Sequence, residues 1–320
     1  MTCFRVQRKV LTPSLWEEII EERTYYFNGR YVPASEAVIP VSHPGYRRAD
    51  TVFDTERTVN GEVFRLEEHL ERLFRSLKAV RIDLGLSIVE FAEVIREVVR
   101  RNEPLPDAYG DFWVTQLVSR GPHRNVLEPS PPTVTVVVDP LPFWRFAHLY
   151  EQGAHLVTPS TRRTTPEALD PKIKTTDRLN LVMAEIEAKQ VDPEAYPLLL
   201  DDQGNLTEIV SGNLFLISDG VARTPGSRSI LQGVTRQATI DLAHSLDIKV
   251  VEQDLQPYDL YVAEEAFVTT TSFCVLPVAK FNGAPVGRKV PGPITRSLTV
   301  AWSDLLGLDI VAQAQRYADH

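Results

Sequence analysis

The chain of 320 residues has few cysteines, no long apolar run and no excess of positive charge. Its two cysteines, Cys3 and Cys274, are too few and too far apart in sequence to predict a disulfide framework. No apolar run approaches the roughly 20 residues that a membrane-spanning helix needs. The net charge of −9 disfavours nonspecific binding to nucleic acid and to acidic membrane surfaces. We therefore expect no nucleic-acid partner and no membrane partner.

The composition that remains is that of an ordinary globular protein, with 43% hydrophobic and 24% charged residues. This length is sufficient for two packed cores. Residues 1–20 lack the apolar region and the small-residue cleavage site of a secretory signal. Together with the scarcity of cysteine, these features predict a reducing, cytoplasmic location.

The pattern along the chain predicts an α+β fold with two domains. Residues 1–23 are predicted to form an N-terminal arm with a short amphipathic helix around 14–22. Strands, then helices, then strands over 24–140 indicate a small α+β domain. Residues 141–150 are the predicted linker, which the Phe143-Trp144 pair predicts to be packed, and 151–320 are predicted to form a large α+β domain. A cleft between two domains is a preferred ligand site.

Turn and periodicity signals locate the secondary structure. Two Asn-Gly pairs, at 28–29 and 60–61, predict hairpins because they favour the positive φ angles of a tight turn. Further strands are predicted over 112–118, 133–138, 155–158, 197–200, 206–215 and 267–271. Helices are predicted over 67–80, 87–101, 178–189, 235–246 and 295–306. In the second of these, Ser87 is the predicted N-cap and Val89 is assigned to the buried face.

Lys174 is the first candidate for chemistry. The chain has only eight lysines, and this one lies beside apolar residues between a turn-like run and a helical pattern. Desolvation at such a junction would lower the pKa of the ammonium group, which is what an imine-forming lysine requires. Lys172 is the rival nucleophile. A solvated lysine that enters a helix is the ordinary alternative.

Two segments have the character of anion sites. Gly233 is followed by Val234 and Thr235, where free backbone N–H groups and a hydroxyl would meet at the start of a helix. Thr271 and Ser272 end a run of four hydroxyl side chains that follows an apolar strand, and they could donate to a phosphate or a carboxylate. An ordinary N-cap and a solvated turn are the respective alternatives.

Glu208 and Arg72 carry charge in apolar surroundings. Glu208 lies within an apolar stretch, where a buried carboxylate needs a cation or several donors; a protonated pyridine nitrogen would serve, and an edge-strand glutamate facing water is the alternative. Arg72 lies near the buried stripe of its helix and could clamp a phosphate, unless it pairs with Glu68 on the surface. His69 is expected to be structural. A reactive lysine, a ring-nitrogen carboxylate and phosphate anchors are what a pyridoxal 5′-phosphate site needs, and no metal site is predicted.

The order of these pieces resembles the class IV, fold type IV, aminotransferases. That family includes branched-chain aminotransferases, D-amino-acid transaminases, (R)-selective amine transaminases and 4-amino-4-deoxychorismate lyase. The resemblance covers about residues 24–310. The matching blocks are Phe27-Asn28-Gly29, Asp50 to Thr55, Phe64-Arg65-Leu66 with His69 to Leu73, Asp170 to Lys174, Glu208 with Asn213-Leu214-Phe215, Gly233 to Arg236, and Glu265 to Thr271 with Pro277-Val278.

The resemblance implies a D-amino-acid aminotransferase-like fold, pyridoxal 5′-phosphate as the cofactor, bound mainly by residues 151–320, and a homodimer. It implies that Lys174 forms the imine with the cofactor and later moves a proton between the substrate Cα and the cofactor. Glu208 would keep the pyridine nitrogen protonated, and Leu231 would pack on the ring. The residues implied to bind the cofactor are Arg72, Glu208, Leu231, Val234, Thr235 and Thr271.

The substrate markers conflict. Branched-chain enzymes typically carry Asn-Tyr where this chain has Arg178-Leu179, which is closer to D-amino-acid transaminases and to the lyase. Arg57, however, lies where branched-chain enzymes also have arginine, and the loop that contains Arg124 resembles one that binds a substrate carboxylate. The candidate substrate contacts are Arg57, Arg124 and Ser272. We predict transamination between an amino acid or primary amine and a 2-keto acid, with a pyruvate-eliminating lyase as the alternative.

Overall fold

Two β-sheets with their covering helices make up the computed structural model, which describes residues 23–103, 110–123, 125–128 and 130–318. The mixture of helices and strands confirms the predicted α+β class. The predicted arm, apart from Arg23, lies outside the described residues. None of the helices in the described ranges is long and apolar enough to cross a membrane.

The first sheet is antiparallel and has six strands. These are β1 (Thr24–Phe27), β2 (Arg30–Pro33), β3 (Thr51–Val59), β4 (Glu62–Val63), β5 (Phe112–Ser119) and β6 (Thr133–Pro140), in the order β2-β1-β6-β5-β3-β4. Both predicted hairpins are confirmed: each Asn-Gly pair, at 28–29 and 60–61, has two positive φ angles. The turns therefore set the register with which this part of the sheet forms.

Two helices cover this sheet, and a short helix α1 (Pro44–Arg48) precedes β3. The two covering helices are α2 (Leu66–Val80) and α3 (Ile88–Arg101). Ser87 caps α3 as predicted, in a reciprocal arrangement with Glu90. The assignment of Val89 to the buried face is wrong, since 73% of this residue is exposed. Phe91 belongs to the buried stripe, and a residue two positions earlier lies about 200° around the helix, on the opposite face.

The second sheet has nine strands and closes on itself. Its strands are β7 (Ala154–Val157), β8 (Tyr196–Leu200), β9 (Leu206–Ile209), β10 (Gly212–Ser218), β11 (Val221–Pro225), β12 (Val250–Gln253), β13 (Glu265–Thr270), β14 (Cys274–Phe281) and β15 (Ala284–Pro285). The order is β12-β11-β10-β13-β14-β7-β8-β9, and β9 also pairs with β10. Six strands thus form a ring in which β9 and β10 are neighbours.

The helices of this half are α4 (Leu149–Gln152), α5 (Leu179–Val191), α6 (Val234–Ser245), α7 (Pro257–Tyr261), α8 (Pro293–Leu306) and α9 (Ile310–Arg316). The single strand predicted over 206–215 is two strands with a turn between them. A side chain on Gly212 would place its Cβ 2.3 Å from the carbonyl oxygen of Thr269. Glycine is therefore needed where β10 begins and passes close to β13.

The segment 141–150 packs into the core of the nine-stranded sheet. Phe143 and Phe146 are almost fully buried there, whereas Trp144 is exposed. Hydrophobic residues of the six-stranded sheet form a separate core with α2 and α3. The two hydrophobic cores are distinct, while the division into two domains with boundaries at 140 and 150 remains a prediction.

A buried ion pair joins elements that are distant in sequence. Arg57 on β3 bonds through Nη2 to Asp111 at 3.0 Å and to Gln313 of α9 at 2.8 Å. Its Nη1 donates to the carbonyl oxygen of Ser272 at 2.9 Å. Asp111 also accepts from Thr58 and from Gln313. The pair therefore ties β3 to the loop after β13 and to the last described helix.

Replacing Asp111 with alanine is expected to lower the free energy of unfolding by about 3–5 kcal/mol, because Arg57 would remain buried without its counter-ion. Urea denaturation measures this change. Arg96→Ala, which breaks exposed ion pairs with Glu67 and Glu93, is the control and should cost less than about 1 kcal/mol. Equal losses in the two variants would contradict the structural role assigned to Asp111.

Candidate active site

One cavity is lined by segments from both sheets. It is bounded by β3, α2, the segment before α5, β9, the start of α6 and the end of β13. All of the predicted catalytic and cofactor-binding residues line it: Arg72, Lys174, Glu208, Leu231, Val234, Thr235 and Thr271. The structure thus brings together residues that are far apart in the sequence.

Lys174 is held in the cavity by backbone pairing with the edge of β3. Its carbonyl oxygen accepts from the Phe53 N–H at 2.9 Å, and the Thr176 N–H donates to Thr51 at 3.1 Å. The amine lies 4.6 Å from the centroid of the Phe53 ring. Burial lowers the pKa of Lys174 to about 7, and the charge of Arg72 adds to this effect. A substantial fraction of neutral amine is therefore present near neutral pH.

Lys172 occupies a different environment. Its side chain is 39% exposed and pairs with Asp170 at 3.0 Å. It does not line the cavity. The geometry therefore favours Lys174 over its rival as the reacting amine.

Glu208 on β9 is buried and held by three donors. Its Oε1 accepts from Arg163 Nε at 2.7 Å, while Oε2 accepts from the Leu231 N–H at 3.0 Å and from Asn213 Nδ2 at 3.2 Å. Only 5% of the residue is exposed, so the alternative of an edge glutamate facing water is wrong. Burial raises the pKa of Glu208, and the nearby guanidinium of Arg163 opposes that rise.

Arg163 was not among the predicted site residues. It lies shortly after β7 and lines the cavity opposite β9. A buried carboxylate such as Glu208 requires a cationic partner, and this requirement is the signal in the sequence that points to a residue such as Arg163. Nothing in the local pattern around 160–164, however, distinguishes Arg163 from the exposed Arg162 beside it.

The start of α6 forms the other end of the cavity. Gly233 precedes the helix, so the N–H groups of Val234 and Thr235 lie in its first turn, where they have no intrahelical acceptor. A Cβ on Gly233 would lie 2.3 Å from Asn213 Oδ1 and would disturb a residue that holds Glu208. The Nη1 of Arg72 donates to the carbonyl oxygen of Gln232 at 3.2 Å, which places the guanidinium beside this helix start.

Arg72 does not form the surface pair with Glu68 that the sequence also allows, because it pairs with Asp54 instead. Its Nε donates to Asp54 Oδ2 at 2.8 Å, and His69, expected to be structural, lies 2.9 Å from Asp54 Oδ1. Glu68 is not involved. Asp54 thus fixes the orientation of the Arg72 guanidinium, which still borders the cavity.

The hydroxyl run at the end of β13 is divided between two roles. Thr271 lines the cavity, and its hydroxyl lies 3.4 Å from the carbonyl oxygen of Thr55. Thr269 also lines it, and its buried Oγ1 has no hydrogen-bond partner among the residues described. Ser272 does not line the cavity; its hydroxyl accepts from Trp113 Nε1 at 3.1 Å.

Of the three predicted substrate contacts, Arg57 and Ser272 do not line the cavity. Arg57 is only 3% exposed within the Asp111 network, which does not support its predicted contact with substrate. Ser272 is bonded to Trp113, away from the cavity lining. Arg124 lies outside the described residues. The sequence alone does not show that Arg57 is buried in an ion pair, because an arginine in an ion pair and an arginine that binds a ligand are the same residue type.

The donor set fits pyridoxal 5′-phosphate on three counts. A lysine with a lowered pKa matches its aldehyde, and the anchored carboxylate of Glu208 matches its ring nitrogen. The helix start, Arg72 and the unpaired Thr269 hydroxyl match a phosphate dianion. The residues that match the aldehyde, the ring nitrogen and the phosphate belong to different strands, helices and loops. The fold therefore sets the distances between them.

Comparisons with known proteins identify the family to which the chain is similar. A family model described as amino-transferase class IV matches residues 51–281. A protein of Methanocaldococcus jannaschii named "Putative branched-chain-amino-acid aminotransferase" is 36% identical over 285 residues, which is 88% of this chain and 95% of the relative. The D-alanine aminotransferase of Bacillus licheniformis is 28% identical over 86% of this chain and 94% of its own.

A solved structure supports both the fold and the cofactor. A branched-chain amino acid aminotransferase from T.th., complexed with N-(5′-phosphopyridoxyl)-L-glutamate, superposes with a TM-score of 0.80 at 28% identity. The match covers 94% of this chain and 98% of that one. The chain belongs to the class IV aminotransferases, a family that uses pyridoxal 5′-phosphate.

Proposed function

We propose that this protein transfers an amino group between an amino acid and a 2-keto acid, with Lys174 as the reacting amine. The observation that carries the proposal is the placement of this amine, whose pKa is lowered to about 7, in the same cavity as the anchored carboxylate of Glu208. A lysine that is neutral near pH 7 can both attack a carbonyl and carry a proton.

Each residue has a defined task in this proposal. Pyridoxal 5′-phosphate, when bound, supplies an electron sink for the carbanion formed at the substrate Cα. Lys174 would take the proton from that carbon and deliver it to the cofactor carbon C4′. Glu208, whose negative charge Arg163 stabilises against the effect of burial, would accept a hydrogen bond from the ring nitrogen. The side chains of Arg72, Thr235 and Thr271 and the backbone N–H groups of Val234 and Thr235 would hold the phosphate, and Leu231 would pack on the ring.

Relatives' names favour a branched-chain amino acid as the donor, with a D-amino acid as an alternative. The family resemblance of the sequence adds an (R)-amine as a further alternative. A donor panel of L-leucine, D-alanine and both enantiomers of 1-phenylethylamine, each with pyruvate or 2-oxoglutarate, tests the proposal. Transfer from L-leucine would support it. Failure of every donor in the panel, with the cofactor bound, would count against amino transfer by this chain.

Arg178 keeps a lyase as the second candidate. The resemblance associates arginine at this position with the pyruvate-eliminating lyase, and Arg178 lines the cavity. The two activities differ in stoichiometry. Release of pyruvate from 4-amino-4-deoxychorismate without a keto-acid acceptor would identify the lyase, whereas transamination consumes one acceptor for each donor.

The homodimer implied by the family is also part of the proposal. One face of α5 exposes an apolar stripe at helical spacing, formed by Leu179, Val182, Met183 and Ile186. This stripe would be covered by a second copy of the chain. Light scattering on the eluting protein measures the mass, and a monomer would contradict this part of the proposal.

The rate at which the cofactor-free protein captures pyridoxal 5′-phosphate is expected to rise with pH around a midpoint of about 7. Burial lowers the pKa of Lys174 from 10.5 to about 7, and the neutral amine that forms as the pH rises is the nucleophile. The rate should therefore be low below the midpoint and constant above it. Absorbance changes followed by stopped flow across the neutral range measure it, and a rate still rising steeply well above the midpoint would contradict the assignment.

A further inference from the structure

Arg178 is a cation without a carboxylate partner in the cavity. It precedes α5, and its Nη2 donates to the carbonyl oxygen of Val210 at 2.8 Å. Its guanidinium carbon lies 5.7 Å from the centroid of the Phe53 ring. It forms no ion pair within the part of the chain that the structure describes, although it is largely buried. Burial and the charge of Arg163 lower the pKa of Arg178, and the charges of Glu185 and Glu208 oppose this shift without pairing with the guanidinium.

The other charges that border the cavity are accounted for. Arg72 is neutralised by Asp54, and Arg163 by Glu208. The remaining acidic groups in the lining, Asp170 and Asp177, lie at its edge: Asp170 pairs with Lys172, and Asp177 is exposed. Lys174 reacts as a neutral amine in the proposed function. Among the described residues of the lining, Arg178 is therefore the arginine without a carboxylate partner.

We propose that Arg178 binds a carboxylate of the substrate and so selects amino acids and keto acids over simple amines. The guanidinium fork forms paired hydrogen bonds with carboxylates, and only Nη2 of Arg178 has a hydrogen-bond partner in the described residues. The reacting amine of Lys174 lies 4.6 Å from the same Phe53 ring that Arg178 approaches. A substrate whose amino group reaches Lys174 can thus place a carboxylate at Arg178.

This inference rests on the proposed function and deepens it. The carboxylate can be the one next to the reacting carbon, as in leucine, or a distal one, as in glutamate. Both have the same chemistry, and the donor series below separates them. A purely structural Arg178, which only holds Val210, is the competing account.

Equilibrium binding to the holoenzyme tests the inference without turnover. The probes are 4-methylpentanoate and 4-methylpentanamide, which share a leucine-like chain and differ in charge. The wild-type protein should bind the carboxylate about 10- to 100-fold more tightly than the amide, as for a hydrogen bond to a charged group. Arg178→Gln should remove this preference, and Arg178→Lys should keep part of it. A preference undiminished in Arg178→Gln would overturn the proposal.

Arg162→Gln is the matched control, because Arg162 is an exposed arginine that does not line the cavity. It should keep the wild-type preference. Calorimetry measures both affinities, and cofactor content and thermal melting confirm that each variant is folded and loaded.

Donor kinetics then locate the carboxylate. If Arg178 holds the carboxylate at the reacting carbon, Arg178→Gln raises KM for L-leucine and L-glutamate alike and leaves KM for 1-phenylethylamine unchanged. If it holds a distal carboxylate, only the KM for L-glutamate rises. An equal loss with the amine would show a structural role and overturn the inference. A wild-type protein that transfers from no donor would instead refute the proposed function, whatever the binding results.

Discussion

Replacing Lys174 with alanine is expected to lower kcat for amino transfer by at least about 10²–10⁴-fold, the range that proton transfer by a positioned group contributes. The variant loses both the nucleophile and the proton carrier of the cavity, while Arg72, Glu208 and the helix start remain to bind the cofactor. Steady-state turnover with the best donor of the panel measures the loss. Fluorescence or calorimetric titration should still detect cofactor binding.

Lys172→Ala is the control for this experiment. Lys172 lies two residues away, has a side chain that is 39% exposed and does not line the cavity, so its removal should leave kcat within about twofold. If the Lys172 variant lost activity and the Lys174 variant kept it, the register chosen for the reacting lysine would be wrong. If both variants kept full turnover, neither lysine would be the reacting group.

Replacing Glu208 with glutamine is expected to lower kcat by about 10²–10³-fold, the effect of removing a preorganised electrostatic contact to the reacting system. Glutamine preserves the shape but removes the negative charge that would hold the ring nitrogen protonated. It also leaves Arg163 without its counter-ion. Kinetics at saturating donor measure the change. Glu167→Gln, which alters an exposed glutamate paired with Arg228, should have wild-type kinetics.

Arg163→Gln tests whether the charge of Arg163 controls the pKa of Glu208, because the variant leaves the Glu208 side chain itself unchanged. Burial already raises the pKa of Glu208, and Arg163 opposes that rise, so its removal should raise the pKa further. The carboxylate must be ionised to accept from the ring nitrogen. The acid limb of the kcat profile should therefore move to higher pH in Arg163→Gln. An acid limb at the wild-type position would show that Arg163 does not control this group.

Local signals were sufficient to predict much of the fold and the identity of several site residues. The Asn-Gly pairs define the hairpins by their backbone preference, and Ser87 caps its helix because its side chain satisfies a free N–H group. Gly233 precedes a helix as expected. Glu208 stood out because a charge within an apolar stretch requires an explanation. Each of these is a property of a short segment.

Properties that depend on tertiary contacts were not predictable in this way. Arg163 is recognised only when β9 brings Glu208 within 2.7 Å of it. Arg57 was expected at the substrate, but Asp111 and Gln313 surround it in a buried network. The predicted strand over 206–215 is divided into β9 and β10 where Gly212 passes close to Thr269 of another strand. In each case the deciding partner lies in another element, where no local pattern specifies it.

Borohydride reduction of the purified holoenzyme, followed by peptide mapping, tests the central claim most directly. Reduction makes the bond between the cofactor and its lysine permanent, and mass spectrometry locates the modified residue. The account predicts the phosphopyridoxyl group on Lys174. Its attachment to Lys172 or to any other lysine, or the absence of any attachment in a protein loaded with cofactor, would contradict the account.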